Sequence, residues 1–443
     1  MNLKSILYPF PDESKSRHSV RSLQSRKPRA IQGVSVDPIS GDMFVLESNY
    51  EHSMSLLLHR LSCERLLNNS IELEKIHCSS PGGVAFDCRD KSLWVSDRKQ
   101  NILYQFNSFG QFIRELNADR LGIDQIGAIS FDNKEKRILA VDVGARGIVH
   151  LSSTEQFQSY TKLPDDLAGN PTGISPIPNS ENHCMVAFLP DIPEQDGIVG
   201  DHFLAEISPD GQLVRRLSTK NLGFCARDIA FSQQNTLVAA SREFVLPETR
   251  GDHSHLFILD RCAANNPTDQ LNPVIVEYFL RHNVAFDAQL GKRQLRKWYQ
   301  QPVPVHPDRL IDLEISMIQS VLDDWTAAST GALRFEVVGQ KHPYGITILQ
   351  EGSSVTLGRP GLNETVIVSV STREQIGSFP NEISKSSAQL NILRHEIGHA
   401  IGFVGHSPRF HLDTMNSISG FSASISKEES EFVRCLYSDM PSD

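Results

Sequence analysis

The chain has 443 residues, which is enough for two or three domains with substantial cores. Its apolar, aromatic and charged fractions of 39, 7 and 22% are those of a soluble globular protein. The net charge of −10 argues against a general affinity for nucleic acid or anionic membranes, and no apolar run approaches the roughly 20 residues that span a bilayer.

The first 30 residues predict a flexible basic tail, because Lys15–Arg29 is rich in basic residues. The residues before it lack the apolar core of a signal peptide. The seven cysteines are odd in number and scattered without CxxC pairs, which favours free thiols in a reducing compartment. The sequence does not identify the compartment, but it favours a cytoplasmic over a secreted location.

Residues 31–262 contain a repeat with a period of roughly 45–55 residues. The first strand segment of the repeat reads Gly-Val-Ser-Val-Asp at 33–37, and related segments follow at 83–87, 128–132, 173–177 and 228–232. Each copy continues into a second and a third short strand. Short strands repeated without helices predict an antiparallel all-β array, and sheets of about four strands repeated radially form a propeller.

The second copy, LWVSDRKQNILYQFNSFG at 93–110, resembles the NHL-repeat propellers, and the other copies match loosely. Five units can be recognised. A sixth blade is expected from Val274–Phe279 together with an N-terminal strand, so we expect about six blades and leave open an extension of the propeller to about residue 285.

Blade loops are suited to holding another molecule, so the propeller is expected to bind a substrate or a protein partner that the sequence does not identify. Glu47, Asp97 and Asp142 follow second strands. They permit another interpretation, a calcium-dependent lactonase with acidic residues at the channel. Acidic residues after a strand are more often turn formers.

Residues 263–292 are expected to be a linker or a closing strand, and a second domain is expected over residues 293–443. Its first strand includes Val303–Val305. Asp308 is a candidate cap for the next helix, whose buried apolar stripe runs to Trp325. The later strands are Leu333–Val338, Ile346–Leu349, Val355–Leu357 and Val366–Val370, of which 355–357 is expected at the sheet edge. Ser426–Glu429 is a capping box that starts the last helix.

The densest cluster of metal-type ligands lies in Arg394–Met415, RHEIGHAIGFVGHSPRFHLDTM. On a helix, His395 and His399 share one face with Cβ atoms about 5–6 Å apart, so both rings can reach one zinc ion. Glu396 lies beside them, where it can accept a proton from water. Ser386 and Ser387 are candidate caps of this helix.

A continuous helix would carry His406 roughly 10 Å past His399. His406 therefore joins the site only if the chain turns back, which Gly402 and Gly405 permit. Asp413 or His411 could take its place.

HEIGHAIGF, the later His-Ser and a downstream Met resemble the metzincin zinc peptidases, and most of all their matrixin branch. The resemblance covers about residues 293–443 and implies an α+β zincin-like fold with one catalytic Zn2+, leaving room for structural Ca2+. It implies His395, His399 and His406 as ligands, Glu396 as general base, and Met415 in a turn beneath the metal. The family pattern places the third ligand at position 405, where this chain has Gly405 followed by His406.

The sequence as a whole predicts a multidomain chain, an all-β propeller followed by a zinc-dependent endopeptidase that cleaves polypeptides. The alternative is a propeller interaction protein whose second domain is inactive or holds zinc for structure.

Overall fold

The computed structural model describes residues 2–7, 29–49, 56–62, 67–74, 76, 78–152, 156–189, 202–219, 222, 224–242, 255–260, 271–282, 284–287, 292–295, 297–351, 354–356, 365–376, 384–403, 406–409, 412–415 and 424–438. The chain divides into two compact units. One comprises Met1–Gln195 with Val199–Thr268, and the other comprises Asp196–Ile198 with Asp269–Asp443.

The described part of the first unit is built from five antiparallel sheets of four strands each. A short 3-10 helix, Asp119–Leu121, lies between two of the sheets. The strands are β1 (Asn2–Leu7), β2 (Arg29–Val36), β3 (Met43–Asn49), β4 (Leu56–Leu61), β5 (Leu67–Glu72), β6 (Pro81–Asp87), β7 (Ser92–Asp97), β8 (Ile102–Phe106), β9 (Phe112–Asn117), β10 (Ile126–Asp132), β11 (Arg137–Asp142), β12 (Gly147–Leu151), β13 (Phe157–Lys162), β14 (Asn170–Pro176), β15 (Cys184–Leu189), β16 (Phe203–Ile207), β17 (Leu213–Ser218), β18 (Cys225–Phe231), β19 (Thr236–Arg242) and β20 (Leu256–Asp260).

The first strands of the five sheets form a closed ring. β2 packs on β6, β6 on β10, β10 on β14, β14 on β18, and β18 returns to β2. These are the five segments that the sequence repeat placed first in each unit. The predicted propeller is therefore confirmed, with each sheet forming one blade.

The described residues form five blades whose inner strands close the ring, so the expectation of six is wrong. In the fifth blade the order is β18, β19, β20 and then β1, so the N-terminal strand supplies the outer strand. Residues 2–7 are thus paired backbone and not part of a flexible tail. Residues 8–28 of the predicted tail lie outside the described range.

Two glycines of the repeat are required by the close approach of neighbouring inner strands. A Cβ atom on Gly33 would lie 2.7 Å from the backbone nitrogen of Val84. A Cβ atom on Gly173 would lie 2.8 Å from Cα of Asp228. Contacts this short are excluded by sterics, so glycine at the first repeat position permits the blades to close around the axis.

The second unit contains a five-stranded sheet, a hairpin and four helices within its described residues. The sheet order is β24-β23-β25-β27-β26, with β26 antiparallel to β27 and the other pairs parallel. β26 lies at the edge, as the sequence predicts. The elements are α1 (Pro273–His282), β21 (Val284–Asp287), β22 (Lys292–Leu295), β23 (Val303–Pro307), α2 (Ile315–Ala328), β24 (Phe335–Val337), β25 (Gly345–Leu349), β26 (Ser354–Thr356), β27 (Thr365–Ser369), α3 (Lys385–Ile401) and α4 (Lys427–Tyr437).

The described residues 273–282, 284–287 and 292–295 are neither a linker nor a propeller strand. Val274–Phe279 is helical, because Asn272 accepts a hydrogen bond from the backbone N–H of Val274 at 3.1 Å and Pro273 occupies the first helical position. Phe279 packs on Phe403 and Phe432, with ring centroids 5.1 and 5.7 Å apart, which places α1 in the core of the second unit.

Two predicted helix starts shift by a few residues. The cap of α2 is Glu314 and not Asp308, because residues 308–313 form a loop held by Gln350, whose side-chain oxygen accepts three backbone N–H groups. The cap of α3 is Ser384 and not Ser386 or Ser387, since its hydroxyl accepts the N–H of Ser387 at 3.1 Å.

Among the helices that the structure describes, none combines the length and apolarity needed to cross a membrane. All five cysteines in the described ranges are free thiols: Cys78, Cys88, Cys184, Cys225 and Cys435. Cys63 and Cys262 lie outside those ranges.

Candidate metal centre

Helix α3 carries the first two histidines and is buried along most of its length. Two indoles hold its backbone. Trp325 Nε1 donates to the carbonyl of Arg394 at 3.0 Å, and Trp298 Nε1 donates to the carbonyl of Ala400 at 3.0 Å. These bonds bracket the HEIGH segment, so the helix is a rigid support for its side chains.

Helix α3 ends at Gly402, one of the two glycines that permit a reversal of the chain. Gly402 is the C-cap with φ 138°, a conformation that favours glycine. Phe403 follows, and its ring packs on Phe432 at 4.4 Å and on Trp325 at 5.7 Å between centroids. These contacts anchor Phe403 in the core of the second unit. Gly405 lies outside the described residues.

The reversal brings His406 beside His395 and His399. The ring centroids are 4.7 Å apart for His395 and His399, 5.2 Å for His395 and His406, and 5.1 Å for His399 and His406. One ring nitrogen from each histidine lies within 4.8 Å of the other two. Among the described residues, this is the one group of at least three His, Cys, Asp or Glu side chains arranged so that it could hold a metal ion.

The hydrogen bonds of the two helical histidines favour a cation between them. Nδ1 of His395 donates to the carbonyl of Thr414, and Nδ1 of His399 donates to the carbonyl of Phe403, both at 2.8 Å. Each neutral ring then presents an Nε2 lone pair, and these two nitrogens are 3.1 Å apart. Two nitrogen ligands of one tetrahedral zinc ion would be roughly 3.3 Å apart, so the spacing of His395 and His399 fits a zinc ion.

Of the two other candidates for third ligand, the structure describes Asp413 and gives it a different role. Asp413 is fully buried and forms an ion pair with Arg409, and the hydroxyl of Ser407 also binds it. Arg409 also pairs with Glu428 at 2.8 Å. A carboxylate committed to a buried arginine in this way is not available to a metal. His411 lies outside the described residues.

Glu396 lies on α3 beside His395 and is 7% exposed. Burial raises the pKa of its carboxyl to about 8. Burial also lowers the pKa of His399. Both shifts have the same cause, since a water-poor environment disfavours the charged form of each side chain. A buried carboxyl group next to neutral imidazoles is a candidate for proton transfer.

Met415 is fully buried beneath the helix, and Gly398 makes this possible. A Cβ atom on Gly398 would lie only 2.1 Å from Sδ of Met415 and 3.1 Å from Cζ2 of Trp325. The sequence drew attention to Met415 but not to Gly398. The signal was available, because Gly398 is a glycine in the middle of a helix, where this residue is unfavourable without a packing reason.

Glu429 also escaped the sequence-based prediction of the site. Its carboxylate accepts the backbone N–H groups of Thr414 at 3.0 Å, Met415 at 2.6 Å and Ser426 at 2.7 Å. The capping box Ser426–Glu429 is confirmed, but it explains only the last of these bonds. The other two hold the turn whose Thr414 carbonyl binds His395.

Two of the three acidic residues that suggested a lactonase hold loops in place, and the third pairs with a histidine of the neighbouring strand. Asp97 accepts the N–H groups of Ser79 and Ser80, which precede an inner strand, and Asp142 accepts those of Asp124 and Gln125 before the next. Glu47 is bound to His59 Nε2 at 2.5 Å. For Asp97 and Asp142, these contacts are those of turn formers.

No family model matches the chain, and no curated protein matches it. A protein of unknown function from Bacteroides caccae is 12% identical, with a TM-score of 0.36, covering 46% of this chain and 73% of its own. The luciferin-regenerating enzyme is 13% identical with a TM-score of 0.35, and the match covers 54% of this chain and 94% of the enzyme. Virginiamycin B lyase from Staphylococcus aureus is 12% identical with a TM-score of 0.30, and the match covers 51% of this chain and 64% of the lyase. TM-scores this low show neither a family nor a function for this chain.

Proposed function

We propose that the second unit is a zinc-dependent endopeptidase and that the propeller is a platform for its substrate or a partner. The observation that carries this proposal is the convergence of His395, His399 and His406, with one ring nitrogen of each within 4.8 Å of the others. The HEIGH segment supports it, because Glu396 is buried next to the first of these histidines.

When bound, zinc supplies Lewis acidity, which polarises a carbonyl group and lowers the pKa of water. The three imidazoles would hold the ion, and the Thr414 and Phe403 carbonyls fix the orientation of the two helical rings. Met415 supports the ligands by packing and takes no part in binding the metal.

Glu396 moves the proton. As a carboxylate it accepts a proton from the attacking water, and as a carboxylic acid it donates that proton to the nitrogen of the leaving amine. Because burial raises its pKa to about 8, the carboxyl can hold a proton at neutral pH between these steps. A cation at the imidazoles would lower this pKa towards the range of a general base.

The edge strand β26 supports the proposal that the substrate is a polypeptide. It pairs with β27 on one side only in the described sheet. An extended peptide can add to such an edge as another strand, with main-chain hydrogen bonds that make little demand on its sequence. This binding mode fits an endopeptidase of broad specificity.

The test combines metal analysis with cleavage of casein and of a mixed library of quenched fluorescent peptides. We expect about one zinc per chain in the wild type and in Glu396→Gln. Cleavage in Glu396→Gln should fall by about 10²-fold or more, the contribution of a positioned general base. The matched control is Glu374→Gln, which changes an exposed carboxylate of the same unit and should cleave as the wild type does.

Three results would contradict the proposed peptidase function. Absence of bound zinc would remove its basis. Zinc without cleavage of any probe would support the alternative, a non-catalytic interaction protein with a structural or inactive zinc domain. Calcium-dependent ester hydrolysis that survives Glu396→Gln would move the activity to the propeller as a lactonase.

A further inference from the structure

A cavity of about 430 Å³ lies in the propeller where four inner strands end. Its wall includes Ser35 from β2, Ser130 from β10, Ser175 from β14 and Phe231 from β18. Cavities of roughly 300–1,000 Å³ are the size that small-molecule ligands occupy. All of its lining residues belong to the first unit, far along the chain from the histidine cluster.

Three serines that line the cavity occupy the same position of the repeat. In two of them the hydroxyl joins neighbouring blades. Ser35 accepts the backbone N–H of Phe86 at 3.0 Å, and Ser175 accepts that of Phe231 at 2.9 Å. In both cases the donor is the fourth repeat residue of the next blade.

Ser130 cannot make this bond. The fourth repeat residue of its next blade is Pro176, which has no N–H. Among the residues that the structure describes, none forms a hydrogen bond with the Ser130 hydroxyl, although this side chain lines the cavity and the residue is only 9% exposed. A sheltered hydroxyl with unused donor and acceptor capacity is suited to a polar ligand.

The ionisable side chains of the wall are bound to the protein itself. Asp132 pairs with Arg137 at 3.2 Å, and His183 contacts Glu206 at 3.1 Å. Lys134 Nζ donates to the carbonyl of Ser180 at 3.4 Å and to Oδ1 of Asn182 at 3.1 Å. A ligand with a full charge would compete with these contacts, so the wall favours a neutral one.

The rest of the wall contains both apolar and amide groups. Phe131, Phe231, Pro38 and Pro178 contribute apolar surface, and the carboxamides are those of Asn133, Asn179, Asn182 and Gln233. Hydroxyl and amide partners around apolar patches match the polar edges and apolar faces of a sugar ring. We propose that this cavity binds a neutral saccharide of one or two rings, with Ser130 as a contact residue.

Saturation-transfer NMR on the full-length protein tests the proposal with glucose, galactose, mannose, N-acetylglucosamine, maltose and lactose. We expect saturable binding of at least one sugar below about 50 mM. In Ser130→Ala the dissociation constant should rise by about fivefold, as for the loss of one hydrogen bond to an uncharged group.

Ser130→Ala removes no bond of the folded propeller, so its melting temperature should equal that of the wild type. Gln233→Ala, at an exposed position of the wall, is the second variant and should also weaken binding. Ser96→Ala is the matched control, because its hydroxyl donates to the carbonyl of Gly127 and does not line the cavity. It should bind sugar as the wild type does.

The proposal is wrong if no sugar of the panel saturates, or if binding is equal in the wild type, Ser130→Ala and Gln233→Ala. It is also wrong if inorganic phosphate or citrate binds and the sugars do not, which would indicate an anion site at Lys134. Because Glu396→Gln should leave sugar binding unchanged, these outcomes are independent of the peptidase.

Discussion

The carbonyl oxygen of Thr414 accepts a hydrogen bond from Nδ1 of His395 at 2.8 Å, and this bond links the turn before Met415 to the histidine cluster. Glu429 holds the same turn from α4 by accepting the N–H groups of Thr414 and Met415. The orientation of a candidate metal ligand thus depends on a carboxylate that does not touch it. Contacts of this kind commonly change metal affinity by about 10–100-fold when removed.

Glu429→Gln should weaken both the fold and metal binding. The amide nitrogen of Gln cannot accept an N–H group, so at least one buried donor loses its partner whichever way the amide is turned. We expect a loss of about 2–3 kcal/mol in the free energy of unfolding and at least about 10-fold weaker zinc binding. Urea unfolding and competition with a fluorescent zinc chelator measure the two effects.

Glu431→Gln is the control for this change, because it alters a surface pair with Arg434 on the same helix. It should change stability by less than about 0.5 kcal/mol and leave zinc affinity unaltered. If Glu429→Gln binds zinc as the wild type does, the turn does not orient His395.

Gly398→Ala should destabilise the second unit although alanine is the better helix former. The helix propensity gain is about 1 kcal/mol, but the new Cβ would lie 2.1 Å from Sδ of Met415 and force both to move. We expect a net loss of about 1–2 kcal/mol, measured by thermal or urea unfolding.

Gly339→Ala is the matched comparison for Gly398→Ala, since a Cβ at Gly339 would meet nothing within 4 Å. Its effect should stay within about 0.5 kcal/mol. Equal stability of the two variants would mean that Met415 does not fill the space beneath the helix.

Local patterns predicted most of the architecture. The repeat beginning at Gly33 identified five inner strands, because alternation and turn residues are local signals. The ring closure was not predictable in the same way. Nothing within residues 2–7 states that this strand pairs with β20, some 250 residues later in the chain.

The error at Val274–Phe279 had a different origin. Its β-branched and aromatic residues favour a strand, whereas the Asn272-Pro273 pair at its start is the signal of a helix cap and first turn. The buried face of α1, against Phe403 and Phe432, then decides in favour of the helix. Propensity was overruled by capping and by tertiary packing.

In the candidate site, too, the local features were predictable from the sequence and those that depend on distant contacts were not. The spacing of His395 and His399 follows from helix geometry alone, and the glycines indicated a reversal after the helix. The approach of His406 depends on distant contacts, such as the bond from the N–H of Ser407 to the carbonyl of Met415. Sequence spacing cannot supply contacts between separate segments, so the sequence left both Asp413 and His411 as alternatives. The ion pair of Asp413 with Arg409 argues against the first, and His411 lies outside the described residues.

Zinc should stabilise the second unit through the three histidines. A ligand that binds only the folded state at about 1,000 times its dissociation constant adds roughly 4 kcal/mol of stability. We expect zinc to raise the melting temperature of the wild type and to have little effect on His406→Ala. Scanning calorimetry with and without a chelator checks this.

His342→Ala is the control, because this histidine contacts the carbonyl of Tyr344 and lies outside the cluster. It should keep the stabilisation by zinc. If His406→Ala also keeps it in full, His406 is not the third ligand.

The stability of the propeller should fall in mild acid because of His150. Burial comes first among the causes that lower the pKa of this histidine to about 4, and Arg137 adds to the effect. Between that value and the unfolded value of 6.5, the unfolded chain binds a proton that the folded chain does not. The contribution of His150 is therefore complete above pH 6.5 and is lost as the pH falls towards 4.

The expected loss is about 1–3 kcal/mol, because at pH 4.5 the folded chain is still above the pKa of His150 and only part of the shift has been titrated. Nε2 of His150 contacts Oγ1 of Thr161 at 3.1 Å, a bond that Gln can replace without a titratable group. His150→Gln should thus lose less stability than the wild type between pH 7 and pH 4.5 in urea unfolding followed by circular dichroism. Parallel pH profiles for the two proteins would show that His150 is not the group responsible, since every other titrating residue is shared between them.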